Sequence, residues 1–115
     1  MIKIVKDSIS KEELSDIAKN QFGDLVKAVV DTQKEIMAIG GELHADEEAF
    51  LLQNGSRQEN LWGINLHFNK FNDELIEFDS MINIRPSQSN RSRSVENPDV
   101  QRKIRDIQRE SVNAR

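Results

Sequence analysis

The sequence contains no cysteine and no tyrosine, one tryptophan and two prolines among 115 residues. Without cysteine there are no disulfides, thiolate metal sites, iron–sulfur clusters or thiol nucleophiles. With aromatics at 5%, a base-stacking surface for single-stranded nucleic acid has little to be built from. No apolar run approaches the roughly 20 residues of a membrane span. The opening MIKIVKDSIS lacks the apolar core and cleavage site of a signal peptide. The expectation is a soluble, cytoplasmic chain with no membrane partner. Positive charge is also in deficit: 16 Lys and Arg against 20 Asp and Glu leave a net charge of −4, which argues against wholesale coating of nucleic acid. What basic charge there is collects late, from Arg85 onward. The length suits one domain over residues 1–115, with a frayed tail after Ser111.

Apolar spacing then orders the chain. Ile2, Ile4 and Val5 predict a short strand. Ser10 and Glu13 have capping-box spacing and open a helix with Leu14, Ile17 and Ala18 inward, closed at Gly23. VKAVVD and EIMAIGG read as a hairpin about Thr32-Gln33-Lys34, with Val26, Ala28 and Val30 sharing a face. In GGELHADEE, Asp46 is expected to cap a helix running to Gln53, with Glu47 and Glu48 suited to its dipole and Ala49, Phe50 and Leu52 facing the core. LWGINLHF and LIEFDSMINIR alternate with period two and predict a second hairpin through the loop NKFND. Matching their apolar faces puts Phe68 opposite Glu74, Asn65 opposite Glu77 and Gly63 opposite Asp79. Pro86 ends the strand, RPSQSNRSRSVEN reads as a loop, and Asn97-Pro98 starts a last helix with Val100, Ile104 and Ile107 inward. The order β-α-β-β-α-β-β-α implies an α+β domain: a mainly antiparallel sheet with the helices packed on one face.

Three groups of polar residues stand out. His44 with Asp46 offers a general acid/base and an orienting carboxylate, although a capping aspartate beside a histidine that donates to a carbonyl is the commoner arrangement. A metal would need His44, Asp46 and His67 to converge, and no metal site is expected. Asp79, Asn83 and Arg85 lie on the polar face of the expected last strand. Ser56 and Gln58, and then Gln88, Asn90 and Arg91, are loop donors, and Arg85 and Arg91 can fork onto a phosphate or carboxylate. There is no Walker lysine and no GxGxxG, and the residues name no cofactor.

These words recur together elsewhere. The stretches carrying Gly40-Gly41, Leu43-His44-Ala45-Asp46, then Gly55-Ser56, Gln58 and Trp62-Gly63, then Ile82-Asn83-Ile84-Arg85-Pro86 with Gln88, Asn90 and Arg91-Ser92 resemble a family of short bacterial proteins of unknown function, common in cyanobacteria and uncultured lineages. The resemblance spans Val26 to Ile107. It implies that these polar residues form a site, and it supplies no reaction. Arg93 departs from the family pattern, which has an apolar residue there, so Arg91 is the stronger candidate. The favoured reading is a module that binds a small anionic or nucleotide-like ligand, a phosphate-containing molecule or RNA. A homodimer is compatible with it. The alternatives are a small hydrolase or nuclease-like enzyme using His44 with an acidic partner, and a protein-binding, toxin–antitoxin-like accessory protein.

Overall fold

The computed structural model describes residues 1–70 and 74–113. It is an α+β fold. Strands β1 (Lys3–Val5), β3 (Leu25–Asp31), β4 (Ile36–Ile39), β5 (Leu61–His67) and β6 (Ile76–Glu77) form one sheet in the order β1-β4-β3-β5-β6, with every neighbouring pair antiparallel. Two short strands, β2 (Ile9–Ser10) and β7 (Val112–Asn113), pair in parallel apart from it. Val112–Asn113 is therefore tied to the strand before the first helix, and the rest of the expected frayed tail lies outside the described residues. So do the last three residues of the NKFND loop. No helix among the described residues is long and apolar enough to cross a membrane.

Local chemistry explains the element boundaries. The Ser10 side chain accepts from the Glu13 N–H at 3.0 Å and opens α1 (Lys11–Lys19). Asn97 accepts from the Asp99 N–H and, with Pro98 at the first position, opens α3 (Pro98–Ser111). Asp31 turns the first hairpin: one carboxylate oxygen accepts from the N–H groups of Gln33 and Lys34, each at 2.9 Å.

The helices divide between the two faces of the sheet. Leu14 and Ala18 of α1 and Ile104 and Ile107 of α3 pack with Val26, Ala28, Val30 and Ile64 in the larger core. Helix α2 (His44–Gln53) lies on the opposite face, where Leu51 meets Val29, Ala38 and Leu61. Packing on one face thus holds for α1 and α3 and not for α2. Both faces of β3 are apolar at Val29 and Val30, so each needs a cover.

The second hairpin keeps the expected register and loses the expected length. Asn65 pairs with Glu77 and Leu66 with Ile76. The strand then stops, and Met81–Asn83 forms a 3-10 turn opened by Ser80, whose hydroxyl accepts from the Ile82 N–H. Gly63 does not pair with Asp79. Its edge is closed by a side chain instead: Asn83 accepts from the Gly63 N–H at 2.8 Å and donates to the Gly63 carbonyl at 3.0 Å. One amide supplies both bonds that a strand residue would have made, so the sheet needs no further backbone there.

Candidate functional site

The start of α2 differs from the helix expected there. The helix begins at His44, and Leu43 is its N-cap, with extended backbone and no side-chain bond to offer. Asp46 does not cap: it is exposed in the first turn. The inward side chains are His44, Glu47 and Leu51, spaced as one helical stripe. Ala49 and Leu52, expected in the core, face out.

The two buried polar residues of this stripe are held by specific bonds. His44 Nε2 lies 2.8 Å from the Ile64 carbonyl, so Nε2 carries the proton and Nδ1 is left as an acceptor. Burial holds its pKa below the ordinary histidine value. Glu47 is fully buried; it accepts the Gly41 N–H at 3.0 Å through one oxygen, and the other has no partner. Burial pushes this carboxyl up to about 9, so it is protonated at neutral pH. Glycine is needed where these groups approach the backbone. A Cβ on Gly41 would sit 2.8 Å from Glu47 Cγ, and a Cβ on Gly63 would sit 2.5 Å from the Ser80 hydroxyl oxygen and 3.2 Å from His44 Cγ.

A pocket of about 190 Å³ opens beside His44. Buried His44 and Ser80 form its floor, and half-buried Lys27 and exposed Arg93 bring positive charge. Leu43 and Met81, 56% and 64% exposed, stand at its mouth. Arg93 pairs with Asp79 through Nε at 2.5 Å. Lys27 stands opposite Asn65 in the sheet, and Asn65 donates to Glu77 at 3.0 Å. His67 Nε2 also contacts Glu77 at 3.0 Å, and that bond is the main reason the Glu77 carboxyl sits below its usual range.

The other expected site residues sit elsewhere. Arg85 is 8% exposed; its guanidinium donates to the carbonyls of Gln58 and Leu61 and lies 4.1 Å from the centre of the Trp62 ring. Asn90 donates to the carbonyls of Asn83, Ser92 and Ser94 and accepts from the Glu96 N–H. Gln88 donates to the Glu59 carbonyl at 3.0 Å. Ser56 donates to Asp31 at 2.6 Å. Arg91 is exposed, and its backbone N–H is held by Glu96. The RPSQSNRSR loop is thus a stapled structure, and the side-chain donors of Arg85, Gln88 and Asn90 are spent on carbonyls.

The start of α3 shares a groove of about 630 Å³ with this loop, but Glu59, Glu96 and Asp99 line it and Arg85 and Arg91 do not. That groove is ill-suited to an anion. Among the described residues no group of three or more His, Asp and Glu side chains comes together as a metal site requires, and His44 is hydrogen-bonded to no carboxylate. Of the expected site residues, only His44 lines the basic pocket; Asp79 adjoins it through Arg93, and Asn83 adjoins it through its 2.9 Å bond to the Arg93 carbonyl.

Sequence reasoning missed Lys27, Ser80 and Glu47, and it ranked Arg93 below Arg91. Lys27 was open to detection: a lysine between Val26 and Ala28 must point to the other sheet face.

The fixed role of Arg85 has a direct consequence. Arg85→Lys keeps the charge and loses the planar fork, so the part-buried Gln58 carbonyl and the buried Leu61 carbonyl are no longer held together. The expected cost is about 2 kcal/mol, read as a lower midpoint in urea unfolding. An unchanged midpoint would mean that the clamp contributes nothing.

No curated protein and no solved structure matches the chain. A family profile does match, over residues 3–111, and covers nearly every element described above. The chain belongs to DUF5674, a family of proteins of unknown function.

Proposed function

We propose that this protein is a small anion-binding module whose site is the pocket at the start of α2. The observation that carries the reading is the convergence of Lys27, Arg93 and the opening turn of α2, at His44 and Ala45, on one cavity. A helix N-terminus presents N–H groups and a partial positive charge; the Leu43 carbonyl takes the Asp46 and Glu47 N–H groups, and Leu43 has no side-chain oxygen for those of His44 and Ala45. Asp79 offsets Arg93, and Lys27, whose Nζ lies 5.1 Å from the centre of the Phe22 ring, supplies a charge that no carboxylate pairs among the described residues. Volume limits the ligand. About 190 Å³ is below the ~300 Å³ at which typical ligand pockets begin. A carboxylate or phosphate group fits and a whole nucleotide does not. The hydrolase reading has weaker support, because the proton of His44 is given to a backbone carbonyl and no acid orients the ring.

The test replaces the missing cap. Leu43→Asp places a carboxylate where the ligand's anionic group would sit, on backbone already extended as a cap requires. Two effects are expected together: stability rises by about 1 kcal/mol, and the response of the His44 and Ala45 amides to inorganic phosphate, followed by nuclear magnetic resonance, disappears. Lys27→Gln weakens phosphate binding without the gain in stability. If Leu43→Asp raises the melting temperature and phosphate still titrates those amides as in the wild type, the site is not at α2.

A further inference from the structure

Resting on that reading of the pocket, we infer that its ligand is an amphiphilic acid, with a carboxylate or phosphate head on a short apolar tail. The pocket has two chemically different ends. Its buried floor is polar, with His44 and Ser80, and Lys27 stands beside it. Its exposed rim carries two large apolar side chains, Leu43 and Met81, at 56% and 64%, beside Arg93, which is paired with Asp79, and half-buried Ile82 lies between the ends. An inorganic anion would use only the floor and leave these large apolar side chains in water. A tail leaving the head towards solvent must pass between Leu43 and Met81. Each tail methylene it buries there removes apolar surface on both partners from water. Methionine suits such a wall, because its unbranched thioether can settle against tails of different shape. The volume again sets the scale: once the head is seated, only a few carbons fit inside before the chain emerges at the mouth.

The experiment titrates the full chain with inorganic phosphate, then acetate, butyrate, hexanoate and octanoate, following the His44 and Ala45 amides, with hexanol as a headless control. Burial of a methylene is worth about fourfold in affinity. The expected result is a climb of roughly that factor per carbon from acetate towards hexanoate, then a plateau, with hexanol failing to bind. Met81→Ser, a change at an exposed position, should flatten the climb and leave phosphate binding intact, whereas Lys27→Gln should lower every member of the series. A flat series with phosphate and acetate still bound overturns the amphiphile and leaves the anion site standing. No response to phosphate or to any acid overturns both. Hexanol bound as tightly as hexanoate also overturns both, because the head would then be idle. Binding to phosphatidylglycerol vesicles without any response to monomeric hexanoate overturns the free acid in favour of a membrane surface.

Discussion

Glu47→Gln should relieve this protein of an ionisation cost of about 3 kcal/mol at neutral pH. The carboxyl is fully buried, with one oxygen on the Gly41 N–H and the other unpartnered. Removal from water raises its pKa from 4.5 to about 9, and the Gly41 bond and the charge of Lys27 only partly oppose that rise. The sign follows from which state holds the proton. Below about pH 4.5 both the folded and unfolded chains are protonated, and burial carries no ionisation cost. Between about 4.5 and 9 the unfolded chain releases the proton and the folded chain keeps it, so stability falls by about 1.4 kcal/mol per pH unit. At pH 7 the accumulated loss is about 3 kcal/mol. Glutamine has the same size, can accept the same N–H and never ionises, so its stability lacks this slope. Urea unfolding of both proteins from pH 5 to 9 reads the effect as two curves that diverge with rising pH, the glutamine variant higher. Parallel curves would show that Glu47 titrates in the folded protein much as it does in the unfolded one.

The same residue shows why the sequence was legible in some places and not in others. Where a backbone rule acts alone, the reading held. Ser10 caps α1, the hairpin turns after Asp31, Asn97-Pro98 opens α3, and Asn65 meets Glu77. In α2 and after Glu77, period and polarity point the wrong way. Helix α2 buries His44 and Glu47 and exposes Ala49 and Leu52; the stretch after Glu77 buries Asn83 and Arg85 and exposes Met81 and Ile84. Pattern reading assumes that apolar side chains go inside and polar ones outside. That assumption fails when a polar side chain finds particular backbone partners, because a satisfied buried amide or guanidinium no longer bears the cost of lost water. Those partners are distant in sequence: Gly63 for Asn83, Gln58 and Leu61 for Arg85, Ile64 for His44. Nothing in the local spacing announces them. The candidate site suffered from the same blindness. Asn83, Arg85, Gln88 and Asn90 looked like ligand donors because they are polar and clustered, and three of the four are buried on carbonyls. His44 lines a pocket, and the lysine and arginine that share it were not ranked with it.

Asn83→Asp is the severest single-atom test of this arrangement. Asn83 is fully buried, accepts from the Gly63 N–H, and donates to the carbonyls of Gly63 and Arg93 at 3.0 and 2.9 Å. An aspartate of the same shape keeps the accepted bond and turns both donated bonds into oxygen facing oxygen. It also buries a charge, and among the described residues no cation is bonded to this side chain. The Arg93 carbonyl keeps the Ser80 N–H, so the Gly63 carbonyl is the acceptor left unpaired, at about 1–3 kcal/mol, and an unpaired buried charge costs more. The expected loss at pH 7 is about 4 kcal/mol or more, a fall in melting temperature of roughly 15 °C for a chain of this length. The loss should shrink in acid. A protonated aspartate can donate once, so the folded state favours the proton, and the variant regains stability as pH falls towards the pKa of the unfolded chain. Asn83→Ala serves as the reference, because it removes the bonds without adding a charge and should lose stability to a similar degree at every pH. Melting curves of both variants from pH 4 to 8 separate the two costs. If Asn83→Asp tracked Asn83→Ala across that range, the charge would be reaching water, and the edge of β5 at Gly63 would be open to solvent rather than closed by the amide.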